Sequence, residues 1–213
     1  MMPPKRGRSR SAPSLKRKHN TRELPQQLII VCEGATEAAI LRGVRAHLRV
    51  NSAHVLLVDE CGVPKTVVAT AKAEHNALRR RINARIDVFV VFDRDEHPCF
   101  SNAVAQARDL GYHLGISVPC VELYGLLLHR DQRGNIHRHV AQRELKAIPH
   151  PGYDHSRSPR LDLGTVLANQ EQAAARAAEL RACCAGDGEP YRNPVTWFDE
   201  VIQAIVNLAK HAA

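Results

Sequence analysis

The sequence predicts an α/β protein: a parallel sheet of about four strands, helices on both faces, and a helical extension at the C-terminal end. Three observations carry this. Residues 28–32, and 88–92 within an expected strand at 87–92, are short apolar runs with no polar alternation, as in strands buried on both faces. Segments of helical period and ten or more residues separate the strands, which implies right-handed crossovers and parallel pairing. Both apolar runs end abruptly in carboxylates, Glu33 after the first and Asp93-Arg94-Asp95 after the second. Parallel sheets place their functional groups at that end of the strands.

The elements follow in order. The first strand is 28–32. Thr36 is the expected cap of the next helix, Glu37 suits its dipole, and Ile40, Leu41, Val44 and Leu48 form one apolar stripe. The second strand is 54–58. A helix then starts near Pro64, buries Val67, Val68, Ala71, Leu78 and Ile82, and ends in Arg79-Arg80-Arg81, where the dipole favours positive charge. The third strand, 87–92, is β-branched and aromatic, as a central strand should be. Pro98 opens a helix that Gly111 ends, and the fourth strand is 112–118. Residues 119–129 read as a short apolar helix carrying one carboxylate, Glu122. Residues 130–160 are polar and rich in His, Arg, Pro and Gly. Two helices close the chain, roughly 164–184 and 194–211, the second with Val195, Phe198, Ile202, Ile205 and Leu208 on one face. The expected organisation is a disordered basic tail (1–25), a core (26–129), and a polar insert with C-terminal helices packed on that core (130–213).

Composition bounds the function. At 213 residues the chain can bury a core without disulfide staples. No apolar run is long enough to span a membrane, and the basic start lacks the apolar segment of a secretory signal. The six cysteines form no Cys-x-x-Cys, so thiol-based zinc and thioredoxin-type sites are not supported. Cys32, Cys61, Cys99 and Cys120 are expected as buried thiols in a reducing, cytoplasmic compartment. The formal charge of +8 is a tail property: residues 1–25 hold eight Lys or Arg and one Glu, while the rest holds 22 basic and 21 acidic residues. Such an arm either contacts nucleic-acid phosphates or only solubilises the chain.

Asp93 and Asp95 lie two apart on an extended segment, so their side chains point the same way. Carboxylates held on one side repel unless a cation neutralises them. Oxygen ligands on a short rigid segment suit Mg²⁺ or Mn²⁺, with water and substrate phosphate completing the shell. A solvated strand end explains Asp-x-Asp as well, and the placement of Glu33 favours the metal.

These residues resemble a known fold and family. Glu33-Gly34-x-Thr36-Glu37 after one apolar strand and Asp93-x-Asp95 after another resemble the Toprim fold of topoisomerases, primases and OLD-type nucleases. The finer resemblance is to the RloB-like family of bacterial restriction and phage-defence loci. It rests on Ile30-Val31-Cys32-Glu33-Gly34-x-Thr36-Glu37, Val91-Phe92-Asp93-Arg94-Asp95, Pro119-Cys120-x-Glu122-Leu123 leading to Leu127-Leu128-His129, and the late Asn193-Pro194-x-Thr196. It covers roughly residues 28–210. Val121 and Tyr124 depart from the family's usual Phe and Trp, which bears on packing. The resemblance implies Glu33 in proton transfer or metal binding, and Mg²⁺ or Mn²⁺ on Asp93 and Asp95.

Glu122 then has two readings, a site carboxylate or one arm of a buried pair with an arginine. Glu37 either faces the site or serves the helix dipole. Arg94 lies between the two aspartates. His97 and His129 are candidate proton shuttles or solvated bystanders, and His137 and His139 candidates for a substrate loop.

The implied function is a Mg²⁺-dependent nuclease acting on DNA or RNA in phage defence. The alternatives are a non-catalytic subunit that binds nucleic acid or an ATPase, and a bond-forming, primase-like enzyme. No Gly-x-x-x-x-Gly-Lys-[Ser/Thr] occurs, so any ATP-driven step needs a partner, for which the resemblance suggests an AAA-type ATPase encoded nearby.

Overall fold

A computed structural model describes residues 25–59, 61–94, 98–148, 153–155 and 160–212. The basic tail before residue 25, Asp95 and His97 lie outside the described residues. The elements run β1 (Gln26–Cys32), α1 (Ala35–His47), β2 (Val55–Val58), α2 (Pro64–Arg81), β3 (Arg85–Asp93), α3 (Phe100–Asp109), β4 (His113–Val118), α4 (Glu122–Leu127), α5 (Arg138–Ala147), α6 (Leu163–Gly186), β5 (Val195–Thr196) and α7 (Phe198–Ala212).

The sheet order is β2-β1-β3-β4-β5, with the first four strands parallel and β5 antiparallel to β4. The α/β class and the parallel core therefore stand as the sequence predicts. Leu28 to Cys32 are each at most 1% exposed, which explains why that strand carries no polar alternation. Helices α2 and α3 cover one face, while α1 and α7 cover the other, with α6 packed outside them. Gly115 on β4 is required by this packing: a Cβ there would sit 2.7 Å from a Val201 methyl of α7 and 2.9 Å from one of Val91. Gly111 takes φ +71 and stops α3, the role its position implies. Among the described residues no helix is long and apolar enough to cross a membrane.

Several expectations are corrected. Helix α1 starts at Ala35 with Gly34 as an extended N-cap, so Thr36 sits inside the first turn rather than capping it. Ile82 lies beyond the last turn of α2 and is exposed, because that helix ends at Arg81. Cys61 and Cys99 are only partly buried, unlike Cys32 and Cys120. The polar stretch after His129 contains a helix, α5, whose buried residues are only Ala141 and Leu145.

The last helix starts at Phe198, not Pro194. Val195 and Thr196 instead pair with Val118 and Ser117. The Thr196 hydroxyl bonds Ser117 Oγ at 2.9 Å and accepts from the Phe198 amide at 3.1 Å, which ends the strand and starts the helix. Asn193, just before, has its side chain on both backbone groups of Ile136: it accepts from the amide at 3.1 Å and donates to the carbonyl at 2.8 Å. The side chains of Asn193 and Thr196 thus hold the backbone on either side of β5.

The C-terminal carbonyls of α4 find donors on α6, Arg176 for Leu127 at 2.6 Å and Asn169 for Leu128 at 3.0 Å. Tyr124 is fully buried against Phe198, with ring centroids 5.4 Å apart.

Candidate active site

The strand order reverses between β1 and β3. From β1 the chain turns towards β2, and from β3 towards β4, so a crevice opens beyond the carboxyl ends of those two strands. The parallel ladder continues one residue past β1, with the Glu33 amide donating to the Val91 carbonyl at 2.9 Å. The Glu33 carboxylate then accepts from the Asp93 amide at 3.2 Å. Two neighbouring strands thereby deliver their terminal carboxylates to one edge.

A cleft of about 350 Å³ occupies this crevice. Its walls include Glu33 just past β1, Glu37 from the first turn of α1, Asp93, Glu122 at the start of α4, Arg138 and Gln142 from α5, and His155. Gly34, Ala35 and Thr36 line it as well, so the first turn of α1 faces the cleft. A helix N-terminus offers backbone amides and a favourable dipole to an anion such as a phosphate.

The carboxyls differ in state. Burial, with Glu122 and Glu33 nearby, pushes Glu37 up to about 7. Burial also raises Asp93 well above the ordinary range, aided by Glu37 and Glu122 and opposed by Arg138. Asp93 Oδ1 is buried without a hydrogen-bond partner among the described residues, while Oδ2 lies 3.7 Å from the Arg138 guanidinium. Glu122 behaves oppositely. Its burial alone would raise it, but bonds from the Tyr153 hydroxyl, the Cys120 thiol and a backbone amide outweigh burial, as does the nearby His155 ring, and hold it below the ordinary value. Environments that drive neighbouring carboxyls apart in this way separate proton-holding from ionised roles.

Glu33, Glu37, Asp93 and Glu122 thus meet around one cleft. Arg94 does not line it: its guanidinium donates to the Tyr191 carbonyl and lies 5.4 Å from the Phe100 ring centroid. His129 is exposed at the end of α4, away from the cleft. His137 accepts from the His139 amide at 3.4 Å as the N-cap of α5, and neither ring lines the cleft. Glu122 is held by Tyr153 and His155 rather than by an arginine.

Sequence reasoning missed Arg138, Gln142 and His155. Arg138 and Gln142 stand four apart, which marks one face of a helix, but the apolar pattern does not reveal that helix.

Among the described residues no group of three or more His, Cys, Asp or Glu is arranged to hold a metal ion. Glu33 and Asp93 nevertheless fit a hard divalent cation in kind. They are oxygen donors on adjacent rigid strands, and Asp93 has a buried oxygen with nothing to bond among the described residues.

The acidic cluster has a measurable consequence. Unfolded Glu37 ionises near 4.5, whereas the folded group keeps its proton to about 7. Between those values the folded state holds the extra proton, so stability falls as pH rises through the window. The loss from Glu37 is on the order of 3 kcal/mol at most. Asp93 adds a loss of the same sign. Chemical denaturation in chelator at about pH 5 and about pH 8 should show this decline, reduced in Glu37→Gln. Equal stability at both pH values in the wild type would contradict it.

The fold and the site define an α/β protein with a carboxylate-lined crevice at the point where its parallel strand order reverses. A family model described as RloB-like protein matches residues 28–205, and the chain belongs to that family. Comparison with curated proteins and with solved structures finds no match.

Proposed function

We propose that this chain is a Mg²⁺- or Mn²⁺-dependent, Toprim-like nuclease that hydrolyses phosphodiesters of DNA or RNA in bacterial anti-phage defence. The observation that carries the reading is the meeting of Glu33 and Asp93 at the β1/β3 crevice, closed by Glu37 and Glu122. Glu33 and Asp93, with Asp95, are the residues that would hold the ion. When bound, the metal supplies an activated water and neutralises charge on the phosphoryl oxygens. The first turn of α1 and Arg138 receive the phosphate, and Glu33 takes the proton released by the attacking water. The basic tail adds sequence-independent affinity for the nucleic acid.

The test is incubation of the purified chain with plasmid, single-stranded DNA, tRNA and total RNA, each with Mg²⁺, Mn²⁺ or EDTA. Cleavage of at least one substrate, lost in EDTA, is the expected result.

A second reading has one observation in its favour. Arg138 already sits against Asp93, as it would in a carboxylate cluster that never takes a metal. In that case the chain is a non-catalytic subunit that binds nucleic acid or an AAA-type ATPase. Inert protein on every substrate, with and without the ATPase encoded nearby, would overturn the nuclease and leave this one.

A further inference from the structure

Glu122 is 2% exposed, and the groups around it converge on a single oxygen. The Tyr153 hydroxyl donates to Oε1, and His155 Nδ1 lies 3.0 Å from the same atom. An ionised carboxylate only accepts, so Nδ1 carries the hydrogen of that contact. The bond fixes the tautomer and leaves Nε2 as the ring's other proton site. Tyr153 Oη lies 3.4 Å from Nδ1, on the same edge of the ring. The His155 side chain is 49% exposed and lines the cleft that Glu33, Glu37, Asp93 and Arg138 also line. One edge of the ring is therefore anchored to a buried carboxylate, while the residue borders the space a substrate would fill. An imidazole oriented by a carboxylate in this manner is equipped to move a proton.

We propose that His155 is the proton donor to the leaving oxygen of the phosphodiester, with Glu122 and Tyr153 as its positioning residues. This rests on the nuclease reading. In the step, the water oxygen forms a new bond to phosphorus and its released proton passes to Glu33. The bond from phosphorus to the leaving sugar oxygen breaks, and that oxygen's electron pair takes the Nε2 proton of the doubly protonated ring, which is left neutral with its hydrogen on Nδ1 towards Glu122. Solvent then returns a proton to the ring.

The experiment uses the full chain and oligonucleotides of the type it cleaves. One carries ordinary phosphodiesters; others carry sulfur in place of the 3′ or the 5′ bridging oxygen. A thiolate leaves without being protonated. His155→Gln and His155→Asn should slow kcat on the ordinary substrate by about 100-fold or more. On the oligonucleotide with sulfur at the leaving position, both variants should approach the wild-type rate. Glu122→Gln should give the same pattern in weaker form. Since the ring is half exposed, the melting temperature of the His155 variants should stay near that of the wild type. Equal losses on ordinary and sulfur substrates, or no loss at all, would overturn the role of His155 and leave the nuclease standing. A wild type that cleaves nothing, both alone and with an AAA-type ATPase partner, would overturn both.

Discussion

Asp93→Asn should abolish metal-dependent cleavage and leave the protein folded. Replacing a group that merely supports a metal ligand costs roughly 10- to 100-fold, so losing a ligand should cost at least the upper figure. The stability effect should run the other way. Burial and neighbouring Glu37 and Glu122 disfavour the ionised Asp93 carboxylate, and an amide of the same size removes that repulsion. In chelator the variant should melt at or slightly above the wild-type temperature. Glu33→Gln should also stop turnover, yet its amide oxygen still accepts from the Asp93 amide, so the strand ends should stay in register. The measurement is paired: cleavage rate and melting temperature, with and without Mg²⁺. An active Asp93→Asn enzyme would sink the nuclease, and a large fall in melting temperature without selective loss of cleavage would make the cluster structural.

Arg181→Ala should destabilise the fold more than any substitution in the carboxylate cleft. Arg181 grips Asp199 with two bonds of 2.7 and 3.0 Å, donates to the Thr196 carbonyl at 2.6 Å, and lies 5.9 Å from the centroid of Trp197. It thereby ties α6 to the junction of β5 and α7. Asp199 is 6% exposed, so truncating its partner strands a buried charge, at a cost of about 3–5 kcal/mol. For a chain of this size that is roughly 10 °C in Tm. Asp199→Asn in the Arg181→Ala background should recover part of the loss, since the stranded group is then neutral. Urea denaturation of wild type, both single variants and the double variant reads the coupling. A loss below about 1 kcal/mol for Arg181→Ala would place the pair with ordinary surface ion pairs.

The parts of this molecule that could be read in advance are those whose environment is uniform along the chain. Strands β1 and β3 are buried on both faces, so they stand out as apolar runs, and Glu33 and Asp93 stand out as what interrupts them. Helix α5 turns only Ala141 and Leu145 inward, too few to show a period against ten mostly polar residues. Strand β5 is two residues long and exists because β4 offers it an edge. His155 belongs to the site through a partner 33 residues away, a relation no local pattern encodes. The departure of Arg94 was legible after all. If Asp93 and Asp95 share one side of an extended segment, the residue between them points to the other, and the structure sends it to Tyr191 and Phe100.

The Asn193 clamp sets an order of events during synthesis. Every carboxylate of the cleft leaves the ribosome before Asn193 does, and so do Arg138 and His155. Ile136, two residues before Arg138, acquires its side-chain partners only when a residue 57 positions further along has emerged and folded back. Until then the backbone two residues ahead of Arg138 lacks both of these bonds. A chain ending short of Asn193 thus keeps every described carboxylate of the cleft but lacks the two bonds that hold the backbone just ahead of Arg138.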